Sequence, residues 1–177
     1  MKKILLSLVA LLCVASVSAQ SKFESSVKSA AKAVASQKWS VGLRVGSGLQ
    51  ADAECFYSNK AYVEARFGMQ YVNGLSADFT ILHNWNCCNW NWTPKAGSWF
   101  LDAGVGANVG GKANYAYVGV AGQAKFGIKF KAAPVRLSLD WTPSIGPAIM
   151  YLPGGDAGAW YNTWALCNVG ISATYCF

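Results

Sequence analysis

Residues Asn162 to Phe177 read NTWALCNVGISATYCF. Counting back from Phe177, the residues Tyr175, Ala173, Ile171, Val169, Cys167 and Ala165 recur at every second position. Between them stand Cys176, Thr174, Ser172, Gly170, Asn168, Leu166 and Trp164. A period of two sends alternate side chains to opposite faces of a β-strand. The stretch therefore predicts a strand with one apolar and one mostly polar face. Trp164 and Leu166 fit the polar face poorly and are expected near a rim.

The same alternation runs through the chain upstream. Trp39, Val41, Leu43 and Val45 alternate with Ser40, Gly42, Arg44 and Gly46, and the parity continues from Leu49 to Tyr57. Further strands are predicted over Ala61–Tyr71, Leu75–Asn84, Trp99–Asn108, Ala116–Phe130 and Val135–Thr142. Asn73-Gly74 is a tight-hairpin signal. Ser58-Asn59-Lys60, Gly110-Gly111-Lys112 and Lys131 to Pro134 mark turns. Asn86–Ser98 reads as irregular, and Pro143, Pro147, Pro153 and Gly154-Gly155 predict a long loop up to Trp160.

Trp39 to Tyr57 is either one long strand or two strands joined at Gly46-Ser47-Gly48. The first reading gives seven strands and the second eight. Antiparallel closure of a single-chain barrel asks for an even number. Eight strands of about ten residues also fit the length of the chain. The expected fold is all-β: an eight-stranded antiparallel up-and-down transmembrane β-barrel, preceded by a short helical or disordered segment.

Charge assigns the faces. Of the eight acidic residues, Asp52, Glu54, Glu64, Asp78, Asp102 and Asp140 lie on the polar parity of a proposed strand. Arg44, Arg66, Lys125, Lys129 and Arg136 share that parity. No charge falls on the apolar parity. A Lys or Arg facing lipid at mid-bilayer costs about 2–4 kcal/mol, which accounts for a face kept free of charge. These eleven residues are expected to form an ion-pair network inside a barrel with just enough room for side chains. A soluble lipocalin-like lipid-binding barrel would turn the same faces the other way, and parity alone does not separate the two. Aromatic strand ends (Trp39, Tyr57, Tyr71, Trp99, Trp141) and few loop charges favour the membrane reading, with those rings forming interfacial girdles.

Composition agrees. The chain is 53% hydrophobic and only 13% charged, with 18 Gly, 8 Trp, 8 Tyr and 8 Phe. Lys2-Lys3, an apolar run from Ile4 to Val17 and Val17-Ser18-Ala19 have the form of a cleaved secretory signal peptide over residues 1–19. After it no apolar run is long enough for a spanning helix. Residues 20–38, with Phe23, Val27, Ala30 and Val34 at helical spacing among lysines, read as a periplasmic segment and 39–177 as the barrel. The formal net charge of +7 comes from scattered residues with no nucleic-acid recognition motif.

LDAGVGANVG (Leu101–Gly110), AGQAKFGIKFKAAPVRLSLDWTPSIG (Ala121–Gly146) and the terminal GISATYCF together resemble the small Gram-negative outer-membrane β-barrel family, of the outer membrane protein X and outer membrane protein A barrel type. Ile171, Ala173, Tyr175 and Phe177 resemble the C-terminal barrel-assembly signal of such proteins. The resemblance implies residence in the cell outer membrane, both termini in the periplasm, short periplasmic turns and longer outer loops. Asn86–Ser98 departs from that pattern, because counting strands puts it on the periplasmic side. Implied partners are outer-membrane lipid and lipopolysaccharide, the barrel-assembly machinery and an unknown extracellular ligand.

Catalytic machinery is not expected. Some barrels of this size modify lipid A as acyl hydrolases or acyltransferases, which need an activated serine or a base. His83, the one histidine, falls on the lipid-facing parity beside Trp85, and no Ser-His-acid set can be assembled around it. No cofactor or metal site is expected: Cys87-Cys88 lacks zinc-ligand spacing. Cys55, Cys87, Cys88 and Cys176 all fall toward the periplasmic rim. A bridge from Cys176 to Cys87 or Cys88 is expected, with Cys167 lipid-facing and unpaired. The Ser144–Trp160 loop and Gly110–Tyr115 are the expected external contact surface of a structural or adhesive barrel.

Overall fold

The structure is a computed structural model and describes residues 38–71, 75–151, 157–162 and 164–177. The proposed signal peptide, most of the 20–38 segment and the Asn73-Gly74 turn lie outside those residues. The described residues form ten strands. They are β1 (Trp39–Gly46), β2 (Gly48–Phe56), β3 (Ala61–Gln70), β4 (Ser76–Trp90) and β5 (Gly97–Lys112). After these come β6 (Tyr115–Phe130), β7 (Val135–Trp141), β8 (Ser144–Tyr151), β9 (Ala157–Asn162) and β10 (Val169–Cys176). Gly46-Ser47-Gly48 does form a hairpin, with Val45 opposite Leu49.

Pairing is antiparallel throughout and closes a ring of eight staves. Strands β1 to β7 follow one another, and β10 joins β7 to β1. Backbone bonds between Trp39 and Phe177, at 3.2 and 2.9 Å, seal first to last. Strands β7 and β8 are one stave. Both pair with β6 in a single unshifted register, Trp141 opposite Ala124 and Ser144 opposite Ala121. Pro143 interrupts it because proline has no N–H for the ladder, while its carbonyl still accepts from Gly122 N at 2.8 Å.

Three sequence expectations are corrected. The loop expected from Pro143 to Trp160 is largely strand, since β8 and β9 pair from Gly146–Asn162 to Tyr151–Ala157. Residues 152–156, between Tyr151 and Ala157, lie outside the description. The irregular stretch Asn86–Ser98 is mostly sheet, leaving only residues 91–96 between β4 and β5. Pairing there survives through a bulge, with Asn86 opposite Asp102 and Cys88 opposite Leu101. One extra residue switches the outward parity and brings Trp90 opposite Trp99.

The terminal strand is also not continuous. A 3₁₀ turn, Trp164–Cys167, separates β9 from β10. Trp141 pairs with Val169 and Gly146 with Asn162, so one stave advances five positions while its partner advances seven. The turn absorbs the two additional residues, and an even excess keeps the inward and outward faces in phase. Trp141 Nε1 donates to the Leu166 carbonyl at 2.7 Å, and Thr142 N to the Asn168 carbonyl at 2.8 Å. Leu166 is exposed rather than turned inward; the Trp164 side chain lies outside the description.

Exposure along the staves is inverted relative to a water-soluble protein. Phe67 and Val120 are 64% exposed and Leu43 58%, whereas Arg44 and Glu64 are 0% exposed. Apolar side chains cover the outside and polar ones fill the inside.

Candidate functional site: the charged barrel interior

Each interior charge stands on the inward parity of its strand. Arg44 comes from β1, Asp52 and Glu54 from β2, Glu64 and Arg66 from β3, and Asp78 from β4. Asp102, Lys125, Arg136 and Asp140 come from β5, β6 and β7. All ten are buried. Room for them comes from glycines on the same face. A Cβ on Gly170 would sit 2.6 Å from the Arg44 guanidinium carbon, and one on Gly104 or Gly110 would strike the Asn84 amide or the Tyr117 hydroxyl.

Hydrogen bonds join these groups, Asp52 excepted, into one chain along the barrel; the Asp52 oxygens have no hydrogen-bond partner among the described residues. At the end where the chain enters β1, Asn89 Nδ2 donates to Asn86 Oδ1 at 2.5 Å, and Asn86 Nδ2 to Asp102 Oδ1 at 2.7 Å. Arg136 donates to Asp102 and to Glu54, both at 2.8 Å. Lys125 Nζ donates to Glu54 at 2.9 Å and Glu64 at 2.8 Å. Arg66 bonds Glu64 at 2.5 Å and reaches Asp140 at 3.3 Å. Arg44 Nε donates to Asp140 at 2.8 Å and its Nη1 to Gln50 at 3.1 Å. Gln50 Nε2 then donates to Asp78 at 2.6 Å. Buried charges persist only when paired and hydrogen-bonded, and this chain meets both needs for most of its members.

Neutral side chains complete the network, and as uncharged residues they carry no charge signal in the sequence. Ser40 donates to Glu54. Asn84 Nδ2 donates to Glu64 at 2.7 Å, Thr142 bonds Arg66 at 2.9 Å, and Ser172 bonds Asp140 at 3.0 Å. Tyr62 donates to Asp102 at 2.9 Å. The Arg136 guanidinium also lies over the rings of Phe56, Tyr62 and Phe100, at 5.1, 5.2 and 4.3 Å, a cation–π cage of aromatics placed on the polar parity. Their inward parity was the available signal.

Asp52, Glu54 and Glu64 bring carboxylate oxygens within 4.8 Å of one another, close enough to hold a metal ion. Lys125 fills that place: its Nζ lies 2.9 Å from Glu54, 2.8 Å from Glu64 and 4.0 Å from Asp52. A flexible ammonium with three donors suits a three-carboxylate cradle. Arginines interrupt the network as fixed cations that do not release a proton, so the arrangement holds the wall together and does not read as a proton relay.

Two members of the expected ion-pair set stand apart. Lys129 is half-buried opposite Arg136 and forms no ion pair among the described residues, because its cross-strand neighbour is another cation. Asp78 is buried but meets only neutral donors. The expected bridge from Cys176 to Cys87 or Cys88 is corrected as well. All five described cysteines are free. Cys176 is buried on β10 and Cys87 and Cys88 are exposed on β4, with β1, β2 and β3 between those strands. A disulfide needs Cα atoms about 4.4–6.8 Å apart. Cys167 is exposed and unpaired, on the 3₁₀ turn.

Outside, His83 is exposed, bonds the Tyr57 hydroxyl and stacks against its ring at 5.9 Å, with the Trp85 ring 5.7 Å away. Its bonded partner is a phenol, with neither a serine nor a carboxylate joined to it among the described residues. Farther along the same rim, Trp90, Trp92, Trp99 and Phe126 pack with centroids 5.3–6.3 Å apart. Ile171, Ala173, Tyr175 and Phe177, the residues resembling an assembly signal, all face outward and are exposed. Compared with known proteins, the chain matches no protein-family model, no curated protein and no solved structure.

Proposed function

We propose that this chain is a small outer-membrane β-barrel with a plugged interior, serving a structural or surface-binding role in the cell envelope. The observation that carries the reading is the inverted polarity: charge inside, a continuous apolar surface outside. A contiguous apolar surface of this kind marks a membrane or protein contact, and strands of 9 and 10 residues such as β2 and β3 match the 9–11 that a tilted strand needs to cross a bilayer. The lipocalin-like alternative requires an apolar interior able to take a lipid, and ion pairs fill this one. Aromatic residues and lysines support interfacial placement of one rim: Trp90, Trp92 and Trp99 pack together there, and Lys38, Lys60, Lys95 and Lys131, at strand ends and turns, are exposed.

Lipid A acyl chemistry is the lesser reading, since His83 lacks a nucleophile joined to it. Fractionation of an expressing Gram-negative host tests the proposal. The protein is expected to sediment with the lipopolysaccharide-rich membrane; release with the soluble periplasmic proteins would favour the lipocalin-like alternative instead.

A further inference from the structure

At the end of the barrel where the chain enters β1, the turns carry charge of one sign. Residues 57–60, 91–96 and 131–134 contain Lys60, Lys95 and Lys131 and no acidic residue, and Lys38 precedes β1 at the same end. All four lysines are exposed, and none forms an ion pair among the described residues. The inward carboxylates toward this end, Glu54 and Asp102, are buried and already held by Lys125 and Arg136.

Two of these lysines are brought to one place. Gly97 pairs with Phe130, so the 91–96 and 131–134 turns are neighbours. Lys131 N donates to the Ala96 carbonyl at 3.1 Å, and its Nζ to the Pro94 carbonyl at 2.7 Å. Lys95 is the residue between those two. An ammonium has three donors, so the bond to Pro94 leaves Lys131 able to hold a ligand oxygen as well. The 91–96 turn is itself pinned. The Thr93 carbonyl accepts from Ala96 N and Gly97 N at 2.9 and 3.0 Å, and Thr93 Oγ1 from Trp99 Nε1 at 2.8 Å. Trp92 folds back onto the outer wall, its ring 5.7 Å from Trp99 and 6.0 Å from Phe126, yet it is 65% exposed. Along that wall Phe126 is opposite Leu139 and Ile128 opposite Leu137, and both leucines are exposed. A pair of cations at the rim thus runs into a tryptophan and then into an apolar strip.

We infer that Lys95, Lys131 and Trp92 form the headgroup site of an anionic glycerophospholipid of the phosphatidylglycerol kind, with its acyl chains along Leu137 and Leu139. The inference rests on the membrane-barrel reading and adds a lipid class to it. A tryptophan at headgroup level suits any lipid. The lysines do not: each lysine near an anionic lipid surface strengthens the attraction by about fivefold. A headgroup with a net negative charge meets two ammonium groups here and no acidic side chain in either turn to compete for them. A choline headgroup brings a cation of its own against them.

The test is tryptophan quenching of the full chain refolded into phosphatidylcholine vesicles. Phosphatidylglycerol or phosphatidylcholine brominated on the acyl chains replaces a fixed fraction of the lipid, and bromine quenches only indoles close to it. Brominated phosphatidylglycerol should be enriched at the barrel by about fivefold over its choline counterpart. The double variant Lys95→Gln, Lys131→Gln should remove that preference. The double variant Lys38→Gln, Lys60→Gln changes the rim charge by the same amount and should keep it. All four positions are exposed, so these variants are expected to fold. Equal quenching by the two lipids in the unaltered protein would overturn the inference and leave the membrane reading standing; quenching by neither would overturn both. A preference that survives Lys95→Gln, Lys131→Gln would also overturn it. So would an equal loss in Lys38→Gln, Lys60→Gln, which would reduce the site to diffuse rim charge.

Discussion

Arg66 ties three interior partners together, touching Glu64 at 2.5 Å, Asp140 at 3.3 Å and Thr142 at 2.9 Å. Removing one partner from a buried pair leaves an uncompensated charge, at a cost of about 3–5 kcal/mol. Arg66→Met should therefore lower unfolding stability in urea by about that amount. Lys129→Met, at an inward cation with no ion pair among the described residues, should change it by about 0.5 kcal/mol or less, as a site outside such networks does. Equal losses for the two would show that pairing does not set the stability of the interior. Gly170→Ala is a second test at this scale. Its Cβ would meet the Arg44 guanidinium at 2.6 Å, and overpacking of that kind costs about 1–3 kcal/mol, readable in the same urea titration. The identity of interior residues was legible in the sequence, because charge at one parity is enough to place Arg44 or Asp140 inside. Their partners were not. Arg44 and Asp140 stand 96 residues apart in sequence and meet over β10, the strand between β1 and β7, so their contact depends on which strand closes the ring and in what register. The aromatic cage around Arg136 was hidden for the same reason.

Strand existence and facing were legible because apolar residues alternate with polar ones and the charges keep to one parity. Breaks within strands were less so. Pro143 read as the start of a loop, yet it costs one ladder bond and leaves the register of β7 and β8 unchanged. The 3₁₀ turn at Trp164–Cys167 arises from a mismatch of two residues between neighbouring staves. No local signal announces such a count, although Trp164 and Leu166 on the polar parity already strained a continuous strand. The bulge at Asn86 and Cys88 is of the same kind. A prediction belongs to β1 and β10, which close the ring. Leu43 and Ala173 are opposite one another on the outer face. Leu43→Lys should cost about 2–4 kcal/mol if that face meets lipid near mid-bilayer, measured by reversible unfolding in phospholipid vesicles. A loss below about 0.5 kcal/mol, as at an ordinary aqueous surface, would place the face in water.

For the whole molecule, one arrangement explains both faces. Eight staves leave an interior wide enough for side chains and too narrow for an open channel. On the proposed membrane reading, charges that cannot face lipid turn inward, and there they must pair, so the plug follows from the apolar outer surface. A barrel of this kind needs an apolar medium around it and keeps its closed backbone hydrogen bonding in detergent. The most direct test is electrophoresis of the refolded full chain, boiled and unboiled, after transfer from urea into detergent micelles or into detergent-free buffer. The account predicts that micelles give an unboiled band displaced from the boiled one, and that the protein aggregates without them. A folded, monomeric protein in detergent-free buffer, with boiled and unboiled bands at the same position, would contradict it.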